Sequence, residues 1–172
     1  VVYGALASDR WYTESIKLHQ LGTKQDADTI LHSENDDAYF LNFGLTTSQD
    51  YLYIFSSKSD AAEVSVVPRS NLTAKPVKLV SREQNILLSL DHANGYFYLI
   101  LNDTHTNSRL VKVADEAPLY DNFETIIAGS NKRYLTGMQT FSNFMYVRSR
   151  ENGLERFTLY DYEGNEHDVQ FP

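Results

Sequence analysis

The 172-residue sequence contains no cysteine. That removes disulfides and thiolate metal sites, and it fits a reducing, cytoplasmic setting. Its eight glycines are scattered singly and no two of them stand four apart. A glycine-rich phosphate loop and the Gly-x-Ser-x-Gly nucleophile elbow are therefore both excluded. Fifteen Lys and Arg against 23 Asp and Glu leave a net charge of −8, too few clustered cations to grip a phosphate backbone, so no nucleic-acid partner is expected. Apolar runs such as Phe97-Tyr98-Leu99-Ile100-Leu101 fall far short of the roughly 18 residues that cross a bilayer, and no membrane association is expected. No stretch longer than about ten residues carries the 3.6-residue apolar spacing of an amphipathic helix. The segment Ala114-Asp115-Glu116-Ala117-Pro118 is expected to hold at most a single helical turn. An initiator Met and a signal segment are also missing ahead of Val1-Val2-Tyr3, and the expectation is a piece of a longer polypeptide.

What the chain does have is aromatic and β-branched residues in short runs. Hydrophobic residues make up 42% and aromatics 13%, led by twelve Tyr and nine Phe against one Trp, the composition of a packed β-rich protein. Tyr51-Leu52-Tyr53-Ile54-Phe55 and Ala62-Glu63-Val64-Ser65-Val66-Val67 flank a polar Ser/Lys/Asp tip, the signature of a hairpin of two half-buried strands. The same unit recurs as Tyr96-Phe97-Tyr98-Leu99 with Leu110-Val111-Lys112-Val113 and as Phe144-Met145-Tyr146-Val147 with Phe157-Thr158-Leu159-Tyr160. A shortened copy opens the chain as Val1-Val2-Tyr3-Gly4 with Ile16-Lys17-Leu18. Tyr3, Tyr53, Tyr98 and Tyr146 follow one another at 50, 45 and 48 residues, within the roughly 40–50 expected of four-stranded propeller blades.

A second ruler agrees. Inner strands are expected to open at Ala38, Asn85 and Arg133, 47 and 48 residues apart. The fold class expected is all-β: about four consecutive four-stranded blades of a β-propeller, as an open arc, with units at 1–37 (incomplete, lacking an inner strand), 38–84, 85–132 and 133–172. Turns are expected at Ser8-Asp9-Arg10, at Asp91-His92-Ala93-Asn94-Gly95 and at Asn152-Gly153, and a closing strand at His167-Asp168-Val169-Gln170-Phe171. Tyr53, Tyr98 and Tyr146 should share one packing environment.

Residue chemistry points to a scaffold. His19, His32, His92, His105 and His167 lie in five different segments without metal-ligand spacing and read as isolated surface or strand-end residues. The pairs Asp26/Asp28 and Asp36/Asp37 sit where Asp is favoured by turn geometry, and the sequons at Asn71 and Asn102 read as plain loop residues. No catalytic, cofactor-binding or metal-binding residue is assigned, and no cofactor is expected.

The strand sequences themselves carry a resemblance. His19-Gln20-Leu21-Gly22-Thr23, Asp28-Thr29-Ile30-Leu31-His32-Ser33-Glu34, Phe40-Leu41-Asn42-Phe43-Gly44-Leu45-Thr46-Thr47-Ser48, Ser57-Lys58-Ser59-Asp60-Ala61-Ala62-Glu63-Val64, Tyr96-Phe97-Tyr98-Leu99-Ile100-Leu101-Asn102-Asp103 and Arg148-Ser149-Arg150-Glu151-Asn152-Gly153-Leu154 occur in order. Together they resemble the middle of the propeller in the oligopeptidase B (protease II) branch of the prolyl oligopeptidase family. The resemblance implies a seven-bladed propeller capping an α/β-hydrolase domain of the same polypeptide, which carries the Ser, Asp and His triad outside this stretch. It also implies that the cap filters substrates and that the parent enzyme cleaves short peptides after basic residues. The competing expectation is a non-enzymatic propeller serving as a protein-interaction scaffold, because the fold hosts both. An isolated arc would expose its terminal faces, so self-association of the fragment is expected.

Overall fold

The computed structural model describes residues 1–9 and 11–170, and in them the chain forms one three-stranded and three four-stranded antiparallel sheets with strands in sequence order. The first sheet holds β1 (Val2–Leu6), β2 (Thr13–Leu18) and β3 (Thr29–Ser33). The second holds β4 (Phe40–Leu45), β5 (Tyr51–Ser57), β6 (Ala62–Pro68) and β7 (Val77–Val80). The third holds β8 (Leu88–Ala93), β9 (Tyr96–Leu101), β10 (Arg109–Ala114) and β11 (Glu124–Ile127). The fourth holds β12 (Tyr134–Thr140), β13 (Phe144–Glu151), β14 (Leu154–Asp161) and β15 (Glu166–Asp168). No helix among the described residues is long and apolar enough to cross a membrane.

Strand alternation explains how the sheets stack. In β5, Leu52, Ile54 and Ser56 are buried on one side while Tyr51, Tyr53 and Phe55 are half-buried on the other. A sheet held between two others buries both faces, and so β6 is buried at every position from Ala62 to Val67 and β9 at every position from Phe97 to Leu101. Three apolar seams result. Ile16 meets Leu41, Leu52, Ile54 and Val67 between the first and second sheets. Val64, Val66 and Val80 meet Phe97, Leu99, Leu101, Val111 and Val113 between the second and third. Tyr98, Ile100 and Leu110 meet Leu135, Met145, Val147 and Tyr160 between the third and fourth. These stacked, like-built sheets form an arc of a β-propeller, the first of them with three strands among the described residues.

Each four-stranded sheet starts and finishes at the same end. Phe40 at the start of β4 pairs with Ser57 at the end of β5, Ser57 with Ala62 at the start of β6, and Val64 with Val80 at the end of β7. We call this end the base and the opposite end, where the β4–β5 and β8–β9 turns lie, the crown. Asn94-Gly95 and Asn152-Gly153 take φ values of 52° and 78°, and 50° and 80°, the left-handed pair that a two-residue hairpin turn requires.

Three local expectations change. β8 begins at Leu88 and not at Asn85, because Asn85 takes φ 52° to close the turn that Ser81 and Gln84 cap. It then runs through Ala93, so Asp91 and His92, which carry turn propensity, are buried strand residues held by partners on neighbouring sheets. Ala114 ends β10, and single 3-10 turns form instead at Gln25–Ala27, Arg69–Asn71, Arg82–Gln84 and Tyr120–Asn122. Tyr53, Tyr98 and Tyr146 do share one repeat position, opposite Gly44, Asp91 and Gln139. Their environments differ: Tyr98 is 3% exposed against the fourth sheet, whereas Tyr146 is half-buried on a face that no sheet covers. Arg10 of the first expected turn and Phe171 of the closing strand lie outside the described residues.

Candidate functional site

The densest polar cluster lies at the crown, where three sheets converge on Asp91 and His92. The Asp91 carboxylate accepts hydrogen bonds from Thr47 N and Thr47 Oγ1 of the second sheet, both at 2.8 Å, from His92 N at 2.9 Å, and from Thr140 N of the fourth sheet at 2.9 Å. Thr140 Oγ1 also donates to the His92 carbonyl at 3.0 Å. His92 is 2% exposed; its Nδ1 lies 2.8 Å from Ser48 Oγ and its Nε2 3.2 Å from Asp115 Oδ2. Tyr51 donates to the same Asp115 oxygen at 3.1 Å, and burial together with that carboxylate pushes the Tyr51 hydroxyl up to about 12. Clefts of about 570 and 370 Å³ both include His92 in their lining.

Ser48, His92 and Asp115 are the residue types of a nucleophile, base and orienting acid, but their surroundings serve structure. Acyl transfer needs N–H groups aimed at a developing oxyanion beside the nucleophile. Here the N–H of Asp50 is spent on Ser48 Oγ at 3.2 Å, and those of Thr47, His92 and Thr140 are spent on Asp91. Ser48 Oγ is further engaged by Thr46 Oγ1 at 3.0 Å. The cluster fastens the second, third and fourth sheets to one another. Sequence reasoning treated His92 as isolated and missed it; the available signal was polar residues recurring one repeat apart at the ends of β4, β8 and β12.

A second network closes the base between the first two sheets. Glu34 is buried and receives Arg82 through Nη1 at 3.1 Å and Nη2 at 2.7 Å, the backbone of Asp36 at 3.0 Å, and the Ser56 hydroxyl. Burial works to raise its pKa, yet the donors from Arg82, Ser56 and Asp36 outweigh it and hold the carboxyl at about 2. Arg82 also reaches Glu63 at 3.6 Å and lies 4.1 Å over the Tyr39 ring, while Lys78 holds Glu63 at 2.7 Å. His32 lies beside these charges; burial pulls its pKa down, and its Nε2 has no hydrogen-bond partner among the described residues.

The other histidines lie apart from one another. His19 bonds Asp28 at 2.7 Å, His105 bonds Asn131 at 3.1 Å, and His167 is exposed on β15. Asp36 accepts from Ala38 N within a turn, and Asp37 accepts from the Tyr12 hydroxyl at 2.9 Å across 25 residues. No group of three or more potential metal ligands occurs among the described residues.

Stacked four-stranded sheets fastened by polar contacts at crown and base define the chain as a β-propeller segment. The family model described as "Prolyl oligopeptidase, N-terminal beta-propeller domain" matches residues 4–172, and the chain belongs to this family of serine peptidases. It is 22% identical over 154 residues to dipeptidyl aminopeptidase BI of Pseudoxanthomonas mexicana, covering 89% of this chain and 21% of that protein. It is 25% identical over 139 residues to protease 2 of Moraxella lacunata, covering 79% and 19%. The chain thus spans about a fifth of these relatives' length. Among solved structures, oligopeptidase B from Leishmania major superposes with a TM-score of 0.83 at 17% identity, over 94% of this chain and 24% of that one. Oligopeptidase B from Trypanosoma brucei with covalently bound antipain, in a closed form, gives 0.82 at 17%, over 93% and 24%.

Proposed function

We propose that the chain is the substrate-filtering part of the propeller in an oligopeptidase B-like serine peptidase that cleaves short peptides after basic residues. The triad belongs to an α/β-hydrolase domain of the same polypeptide. The observation that carries this reading is the family match running from residue 4 to 172, joined to the presence of protease 2 among the relatives. The net charge of −8 supports it, since an acidic cap raises the local concentration of basic peptides. A dipeptidyl aminopeptidase at 22% identity favours a second reading, in which the parent removes dipeptides from free amino termini.

The test compares three fluorogenic amides on the full-length polypeptide: a blocked substrate ending in Arg, a blocked one ending in Pro, and a dipeptide with a free amino terminus. The expected outcome is the highest kcat/KM on the blocked Arg substrate, abolished by a serine-directed fluorophosphonate. Preference for the free dipeptide establishes the second reading, preference for Pro overturns the basic specificity, and no turnover on any of them leaves a scaffold. The 172-residue chain alone is expected to show only background hydrolysis. Turnover that survives repurification and yields to the same inhibitor would overturn the assignment of the triad elsewhere.

A further inference from the structure

The larger cleft at the crown carries charge that the neighbouring sheet-fastening contacts leave unspent. It holds about 570 Å³, within the roughly 300–1,000 Å³ of small-ligand sites. The second sheet contributes Asp50 from the β4–β5 turn and Arg69 directly after β6. The third contributes Asp115 directly after β10 and Gly95 of the β8–β9 turn, and Tyr51 and His92 complete the lining used here. Arg69 is exposed, and its Nη1 donates to the carbonyl and side-chain oxygens of Gln49 at 3.4 and 3.1 Å. No carboxylate pairs with that guanidinium among the described residues. The Asp50 side chain is 66% exposed, and the one ion-pairing group within 4 Å of it among the described residues is His92 Nδ1, at 3.9 Å. Asp115 gives Oδ2 to Tyr51 and His92 and leaves Oδ1 without a hydrogen bond among the described residues. Gly95 keeps that oxygen open, since any side chain there would begin 4.0 Å from it. After burial, it is Asp115 and then Asp50 that keep the proton on Tyr51, so the negative field of the two carboxylates reaches into the cleft uncancelled.

One cleft thus offers a free guanidinium to a carboxylate and two carboxylates to a cation. A C-terminal Arg or Lys is the complement of that arrangement, because it carries an α-carboxylate and a cationic side chain on a single residue. We infer that the cleft binds the C-terminal basic residue of a short peptide, with its α-carboxylate on Arg69 and its side-chain cation at Asp50 and Asp115. The function proposed above supplies such a ligand, since cleavage after a basic residue leaves a product with that terminus; the source of the ligand rests on that reading, and the site does not. A peptide held this way touches connectors of two sheets at once. It ties the second sheet to the third, and the propeller gains stability as product accumulates.

The experiment uses the full-length polypeptide with its catalytic serine blocked by the fluorophosphonate, titrated by calorimetry with acetyl-Gly-Gly-Arg. The expected result is one saturable site that also raises the urea midpoint. The C-terminal amide and the citrulline analogue should each bind at least about tenfold more weakly, the loss that follows from removing a charged hydrogen-bonding partner. Arg69→Gln should erase the preference for the acid over the amide, and Asp50→Asn should reduce the preference for Arg over citrulline. Both positions are exposed, so urea midpoints without peptide should match the parent and separate lost binding from lost folding. No saturable binding, equal affinity for acid and amide, or binding that neither substitution weakens overturns the inference. Activity is read separately on unblocked polypeptide. Cleavage after Arg without this binding removes the inference alone, whereas binding through Asp50 and Arg69 without such cleavage keeps the site and removes the proposed function.

Discussion

The seam between the second and third sheets and the seam between the first and second are built alike and sealed differently. The former is a continuous apolar layer centred on Phe97, Leu99 and Leu101, with Tyr51, Tyr53 and Phe55 packed against it. The latter has a smaller apolar patch around Ile16 and Ile54 and gives its base to Glu34, Arg82, Glu63 and Lys78. A stacked-sheet architecture therefore constrains which positions face a neighbour but not the chemistry that joins them. Burying charge costs desolvation, which the Arg82 fork and the Ser56 and Asp36 donors offset. In return that seam responds to pH.

The sharpest way to break this contrast is at the apolar seam. Phe97 is fully buried, and Phe97→Ala should lower stability by about 4 kcal/mol. A urea midpoint that barely moves would show that the apolar layer is not the stronger joint. Removing one partner from the ionic seam comes next: Glu34→Ala leaves Arg82 over a buried pocket and should cost about 3 kcal/mol. Replacing Glu34 and Arg82 together by Met should cost clearly less than the single change, and equal losses would mean that the charge pairing is incidental.

Acid should then separate the seams. The Glu34 carboxyl titrates at about 2 when folded against a usual 4.5, so its stabilisation is present at neutral pH and is lost as pH falls from about 4.5 through about 2. Glu63, also held low against burial by Lys78 and Arg82, acts in the same direction. Urea midpoints measured from pH 6 to pH 3 should fall more steeply for the native chain than for Glu34→Gln, and parallel slopes would exclude the network as the acid-sensitive element. The smallest expected effect is at Tyr146, read against its repeat partner Tyr98. Tyr98→Ala should cost about 3 kcal/mol and Tyr146→Ala under about 1, because only the first ring is enclosed by a following sheet; equal losses would contradict the assigned faces.

The blade plan was legible in the sequence because period-two alternation and the 45–50-residue spacing of tyrosines and inner strands report the same geometry. Strand ends around Asn85 and Asp91 were not. Asp91 and His92 look like turn residues until Thr47 and Thr140, 44 and 49 positions away, supply their hydrogen bonds. The same distance hid the crown cluster, since Ser48, His92 and Asp115 are brought together only by the stacking of sheets. Glu34, followed directly by Asn35-Asp36-Asp37, has nothing local to mark it as buried, yet it meets Arg82 across 48 residues. Local pattern predicts which face a residue lies on, and long-range polar partners decide what that residue is for.

The Asp91 carboxylate has a consequence for how the arc assembles. Its partners belong to three successive sheets, so no single blade, and no adjacent pair, satisfies it completely. Until the third participant arrives, a buried charge stands partly unmet, and a sheet stacked one strand out of register would leave it so permanently. Asp91 thus works as a proofreading contact: it rewards only the correct order and alignment of three repeats whose sequences are similar enough to be confused.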